Sequence, residues 1–234
     1  MIDHYLYEQN LHWQGQEYSA GTQRDCLDEL KSLMDIDHIL AISGIRRCGK
    51  SFLMKQTINH LMRSGIAPEN ILFVNLELPD LSGQPAAKAL DEIWRTFQKI
   101  KAPQGRVYCF FDEVQTLPEW ERWIKYHYDL NKGDLKFVIT GSNSRLLSSE
   151  FASLLSGRVI EKRLFPFSFT ELLRRRGIDP KDAQELTLQN PRVLQLFDKV
   201  LYDGGMPETL DLQDREIQRE IIAAYFDTII YKDI

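Results

Sequence analysis

Five short apolar runs punctuate the chain, and amphipathic stretches lie between them. Residues 38–43, 71–76, 107–111, 137–140 and 159–164 are too short for helices and read as buried strands. Between them the period lengthens to that of a helix. Met54, Ile58, Leu61 and Met62 share one stripe, with Gly65 as its stop. Leu90, Ile93, Trp94 and Phe97 mark a helix over residues 86–100, and Trp120, Trp123 and Ile124 lie on one face of another. Thr116-Leu117-Pro118-Glu119 reads as a capping box with proline in the first turn of that helix. Leu147, Phe151, Leu154 and Leu155 mark a further helix, stopped by Gly157, and an N-terminal helix is expected around residues 25–34. Short strands alternating with amphipathic helices predict an α/β fold, a parallel sheet covered on both faces. After Pro166 the pattern changes. A second capping box, Ser168 to Glu171, opens a stretch that stays helical to the end. The expected organisation is an N-terminal extension over 1–37, a sheet domain over 38–167 and a small helical domain over 168–234.

Composition narrows the classes. Of the 234 residues 43% are apolar, enough to bury a core. The 29 Lys+Arg against 34 Asp+Glu give a net charge of −5, which argues against a chain whose main task is coating nucleic acid. No apolar run approaches the ~18 residues of a membrane span, and Asp3, His4 and Glu8 interrupt any signal peptide, so a soluble cytoplasmic protein with no membrane partner is expected. Three cysteines and five histidines show neither disulfide nor zinc spacing.

The chemistry sits at strand ends. Gly44-Ile45-Arg46-Arg47-Cys48-Gly49-Lys50-Ser51 matches G-x-x-x-x-G-K-[ST] in full, with a strand before it and a helix after. Glycines let successive backbone N–H groups turn toward phosphate oxygens, and the helix adds its positive end. Lys50 would reach the β- and γ-phosphates, and Ser51 would ligate Mg²⁺. Gly44 to Ser51, with Phe52 next to them, form the expected nucleotide-binding set, and ATP with Mg²⁺ is the expected cofactor pair. Asp112 and Glu113 close the third apolar run, where ligands of open α/β sheets sit. Asp112 would orient the metal's water shell, and Glu113 would take a proton from the attacking water. The next strand end carries Thr140-Gly141-Ser142-Asn143-Ser144, with Ser142 or Asn143 as candidates to hold that water or the γ-phosphate. A Ser/Asn-rich helix cap is the plainer alternative.

With these three strand ends in place, the chain resembles the AAA-type branch of P-loop ATPases. More narrowly, it is similar to the bacterial and archaeal family in which an AAA domain precedes a C-terminal domain of unknown function. The resemblance rests on Gly44 to Ser51, Asp112-Glu113-Val114-Gln115, Thr140-Gly141-Ser142, Gly157-Arg158, Phe165-Pro166-Phe167-Ser168-Phe169-Thr170-Glu171, Gly204-Gly205-Met206-Pro207 and Tyr231-Lys232-Asp233-Ile234. It implies a P-loop NTPase sheet in which the Thr140 strand separates the P-loop strand from the acidic strand, followed by a helical lid. It implies that Arg158, just before the fifth strand, is a candidate arginine finger in cis or from a neighbouring subunit, with Arg145 as the weaker alternative. It places Gly204 to Pro207 near the adenine, and Tyr231 to Ile234 where a second domain begins. The length then reads as the ATPase portion of a longer protein, whose remainder would meet a protein or nucleic-acid partner.

Other signals carry less. Cys48 stands where a small aliphatic residue is more usual. Its thiol, at a helix N-terminus beside two arginines, should have a lowered pKa, which would make it oxidisable, but a small residue that simply fills the loop is the favoured reading. Asn131-Lys132-Gly133-Asp134 spells a guanine-reading motif but precedes a strand instead of following one, so it reads as a turn. Arg174-Arg175-Arg176 ends a helix and reads as dipole complementation. Two functions compete: an ATP hydrolase whose cycle moves the lid, with Arg158 acting between subunits of a homo-oligomer, and a slow-turnover nucleotide-dependent switch gating a partner. A small-molecule kinase is a distant third.

Overall fold

The computed structural model describes residues 2–81, 83–141, 154–179, 181, 182, 186, 190–212 and 214–233. Strands β1 (Ile39–Ser43), β2 (Ile71–Asn75), β3 (Val107–Asp112), β4 (Leu135–Gly141) and β5 (Val159–Arg163) form one parallel sheet in the order β2-β3-β4-β1-β5. The strand carrying Thr140 thus separates the Gly44 loop from Asp112, as the resemblance implies.

Both faces of β1 to β4 are dry, which is why those strands read as continuous apolar runs, whereas β5 is only partly buried. Alternate residues feed two cores. Ile39 and Ala41 of β1, with Val107, Cys109 and Phe111 of β3, pack under α1 (Ile2–Gln9), α4 (Ala86–Lys101) and α5 (Trp120–Leu130). Leu40 and Ile42, with Tyr108 and Phe110, pack under α2 (Leu27–Leu33) and α3 (Lys50–Arg63). Trp120 and Trp123 are buried in the first core, and His127 lies against the Trp123 ring with centroids 3.9 Å apart.

The two capping boxes fare differently. Ser168 forms its box: its Oγ accepts from the Glu171 N–H at 3.1 Å, and Glu171 Oε2 accepts from the Ser168 N–H at 2.8 Å. It opens α6 (Phe169–Arg175), followed by α7 (Pro191–Asp203) and α8 (Arg215–Asp233). The first two of these helices, α6 and α7, share a small core of their own around Leu172, Leu173, Val193 and Leu196. The box expected at Thr116 does not form. The chain leaving β3 turns left-handed at Glu113 (φ 57°) and makes a short 3-10 turn over Val114–Thr116. Thr116 Oγ1 donates to the Leu76 and Glu113 carbonyls at 3.1 and 2.9 Å, and α5 starts only at Trp120. The helix expected from Leu147 falls mostly outside the described residues. Among the described residues no helix is long and apolar enough to cross a membrane.

β2 is an edge strand, and an open edge invites unwanted pairing. The N-terminal segment covers it with side chains. Asn10 donates from Nδ2 to Phe73 O at 2.8 Å and accepts from Phe73 N at 2.7 Å. Gln9 Oε1 accepts from Asn75 N at 2.7 Å, and Trp13 Nε1 donates to Ile71 O at 2.9 Å. His12 Nε2 also lies 2.9 Å from Ile71 O, so that nitrogen carries the proton and Nδ1 faces Tyr18 Oη at 2.9 Å. Burial pushes the His12 pKa from 6.5 down to about 4. Between these values the unfolded chain binds a proton that the folded chain refuses, so stability rises with pH across the window. We expect the fold to lose up to ~3 kcal/mol as pH falls from about 6.5 to 4. Denaturant titration across that range, on wild type and on His12→Gln, checks this: the variant's curve should be flatter.

Candidate functional site

The site forms at the carboxyl ends of β1, β3 and β4. Residues 44–49 link β1 to α3 and curl tightly enough to demand particular side chains. A Cβ at Gly44 would lie 2.5 Å from the Leu164 carbonyl oxygen and 2.8 Å from Cys48 Sγ. Gly49 caps α3 at φ 104°, a conformation that side chains resist. Arg47 nevertheless takes a left-handed turn, at φ 64°.

Lys50 opens α3 yet is only 4% exposed, because its side chain folds back along the loop. Nζ donates to Gly44 O at 3.1 Å and Ile45 O at 3.4 Å, and lies 3.4 Å from Glu113 Oε1. Three acceptors thus hold one ammonium at the mouth of the loop. Ser51 follows it and borders, together with Asp112, a cavity of about 500 Å³ that Lys55, Tyr18 and Glu77 also line.

Asp112 is fully buried at the end of β3. Its Oδ1 accepts from Thr140 Oγ1 at 2.5 Å, and Oδ2 has no hydrogen-bond partner among the described residues. Burial raises its pKa, opposed by the Ser51 and Thr140 hydroxyls. Glu113 donates its own N–H to Thr140 Oγ1 at 2.9 Å, and its Oε2 accepts from Gln115 Nε2. One hydroxyl on β4 therefore holds both Asp112, at the end of β3, and Glu113, just after it. The candidates Ser142 and Asn143, close after Thr140 in the chain, lie outside the described residues, as does Arg145. The clue to Thr140 was its place as the last polar residue inside an apolar strand.

The remaining candidates separate. Arg46 Nη1 faces Glu77 at 3.6 Å, and Phe52 is half exposed beside Gly21. Pro207 starts a 3-10 turn over Pro207–Thr209. Two segments distant in sequence meet there: Phe167 N donates to Gly205 O at 2.8 Å, and a Cβ at Gly205 would lie 2.4 Å from Phe167 O. Arg47 reaches out of the loop to the same region. Its Nη1 donates to Glu208 Oε2 at 2.5 Å and to Tyr225 Oη at 3.0 Å, and its guanidinium sits 4.5 Å over the Tyr225 ring. Arg158 lies at the amino end of β5, the opposite end of the sheet from the loop, and pairs with Asp129 at 2.9 Å. Within one chain it does not reach Lys50. The Asn131 to Asp134 turn also lies at that far end, before β4. Arg174 and Arg175 are spent on exposed ion pairs with Asp25 and Asp211.

The expectation of an easily ionised Cys48 is overturned. The thiol is fully buried, and burial raises its pKa, against which Lys50 and Arg24 pull only in part. The neighbouring arginines point elsewhere, toward Glu77 and Glu208. Cys48 fills space beneath Gly44.

Residues 37–173, more than half of the chain, match a family model described as "AAA domain". An uncharacterized protein of Haemophilus influenzae is 33% identical over 213 residues, which cover 91% of this chain and 50% of that protein. One of Methanocaldococcus jannaschii is 30% identical over 84% of this chain and 42% of its own length. The chain spans about half the length of these curated relatives. Among solved structures, that of C. elegans PCH-2 is similar over 88% of this chain and 65% of that one, at 14% identity and a TM-score of 0.47.

Proposed function

The chain belongs to the AAA domain family, and from that premise we propose that it binds Mg-ATP at the Gly44–Ser51 loop and hydrolyses it with Glu113 as general base. The observation that supports this most is the convergence of Lys50 Nζ and Glu113 at 3.4 Å, with Asp112 beside them on the same strand end. Phosphate oxygens would take over Lys50 from the Gly44 and Ile45 carbonyls, since a charged acceptor binds an ammonium more strongly than a neutral one. Glu113 would then be free to accept a proton from water.

The donor set fits a hard cation. Asp112 Oδ2 is buried without a hydrogen-bond partner among the described residues, and Ser51 borders the same cavity. These two residues would hold Mg²⁺, which when bound would neutralise charge on the phosphates. Thr140 keeps Asp112 aimed by occupying its other oxygen.

We further read residues 168–234 as a helical lid coupled to the loop. Arg47 supports this coupling, because it joins the loop to Glu208 and to Tyr225 of α8. Arg158 would serve the site of a second copy, since its own site lies across the sheet. Phosphate release per chain, measured against protein concentration, tests that assembly. The rate should rise with concentration, and mixing Lys50→Ala with Arg158→Ala should restore turnover that neither variant shows alone. A concentration-independent rate with fully active Arg158→Ala would remove Arg158 from the reaction.

A further inference from the structure

Arg24 lies far from every motif in sequence and only 4% exposed in the fold. Every nitrogen of its guanidinium donates. Nη1 donates to Cys48 O in the loop at 2.7 Å, Nη2 to Phe165 O at 2.6 Å, and Nε to Glu171 Oε1 at 2.9 Å. The plane also sits 4.6 Å over the Phe167 ring. Its own backbone is pinned to α3, where Gln56 Oε1 accepts from Arg24 N at 3.2 Å and Gln56 Nε2 donates to Ala20 O and Thr22 O at 2.8 and 2.7 Å.

We propose that Arg24 is a positioning residue for the phosphate loop, setting the Cys48–Gly49 peptide in its binding orientation. A trans peptide is planar, with its C=O and N–H on opposite sides. Holding Cys48 O against Arg24 therefore turns the Gly49 N–H to the other side of the loop. Gly49 is also the residue whose Cβ would crowd Arg24 Nη1, at 3.1 Å. Fixing this peptide in advance removes an ordering cost from anion binding. The same guanidinium grips Phe165 and Glu171, so the loop and the start of α6 share one fastening. The inference rests on the proposed phosphate site and adds the residue that shapes it.

A purely structural ion pair is the competing explanation, and Glu171 separates the two. Arg24→Lys keeps a charge opposite Glu171, but a single ammonium does not span three separated acceptors. Glu171→Gln weakens the ion pair and leaves the bond to Cys48 O intact. Mg-ATP affinity and melting temperature are measured for both variants, with wild type and Lys50→Ala alongside. Both variants should melt earlier, but only Arg24→Lys should lose affinity, by about tenfold. Equal losses in the two variants, or none in Arg24→Lys, would overturn the positioning role. If Arg24→Lys does not fold, the double variant R24M/E171Q, which strands no buried charge, takes its place with the same expected loss and the same overturning results. Wild type that binds no Mg-ATP would instead overturn the phosphate site itself, and this role with it.

Discussion

Replacing Glu113 with Gln should leave Mg-ATP bound and slow phosphate release by about 100-fold or more, the usual contribution of a general base. The substitution is conservative where folding is concerned. Glu113 is held by its backbone N–H on Thr140 Oγ1, and that bond survives the change. The amide keeps one of the two oxygens that face Lys50 and Gln115, so one of these contacts is retained. What disappears is the lone pair able to accept a proton from water. Single-turnover phosphate release, with nucleotide affinity measured in parallel, separates the two effects. Wild-type turnover in Glu113→Gln would show that another group takes the proton.

Lys50→Ala acts one step earlier. The ammonium is the charge most deeply set in the loop, and each charge-assisted hydrogen bond to phosphate is worth ~1.5–3 kcal/mol. Losing two of them should lower ATP affinity by roughly 100-fold or more. The fold should survive at a modest cost, because the Gly44 and Ile45 carbonyls lose one donor each. A melting curve for the variant guards against confusing lost binding with lost structure. Affinity equal to wild type would remove the loop from nucleotide binding altogether.

The sheet was legible because β1 to β4 are buried on both faces, which leaves short apolar runs in the sequence, while β5 is only partly buried and shows a weaker one. The loop was legible because its chemistry is local: eight consecutive residues carry the turn, the helix start, the ammonium and the hydroxyl. The acids were legible for the same reason, two adjacent carboxylates closing an apolar strand. What escaped was made by contacts between distant positions. Thr140 is one threonine at a strand end, and nothing in its neighbourhood says that its hydroxyl bridges Asp112 and Glu113 on another strand. Arg24 meets its partners 24 residues away at Cys48 and 147 residues away at Glu171. The lowered pKa expected of Cys48 fails because its sequence neighbours are not its spatial ones, while its burial agrees with the favoured loop-filling reading. Arg46 and Arg47 flank it in the chain, but their charges leave toward Glu77 and Glu208, and burial decides the thiol's chemistry. Arg158 shows the same limit from the other side. Its place before β5 is plain in sequence, while its distance from its own loop follows only from the strand direction.

The most direct test of the central claim is a titration of the intact chain with ATP in the presence and absence of Mg²⁺, followed by calorimetry and thermal melting. One nucleotide should bind per chain, more tightly with Mg²⁺. At about 100 times the dissociation constant the melting temperature should rise by roughly 5–10 °C. No heat and no shift at millimolar Mg-ATP would contradict the assignment of the Gly44–Ser51 loop as a nucleotide site.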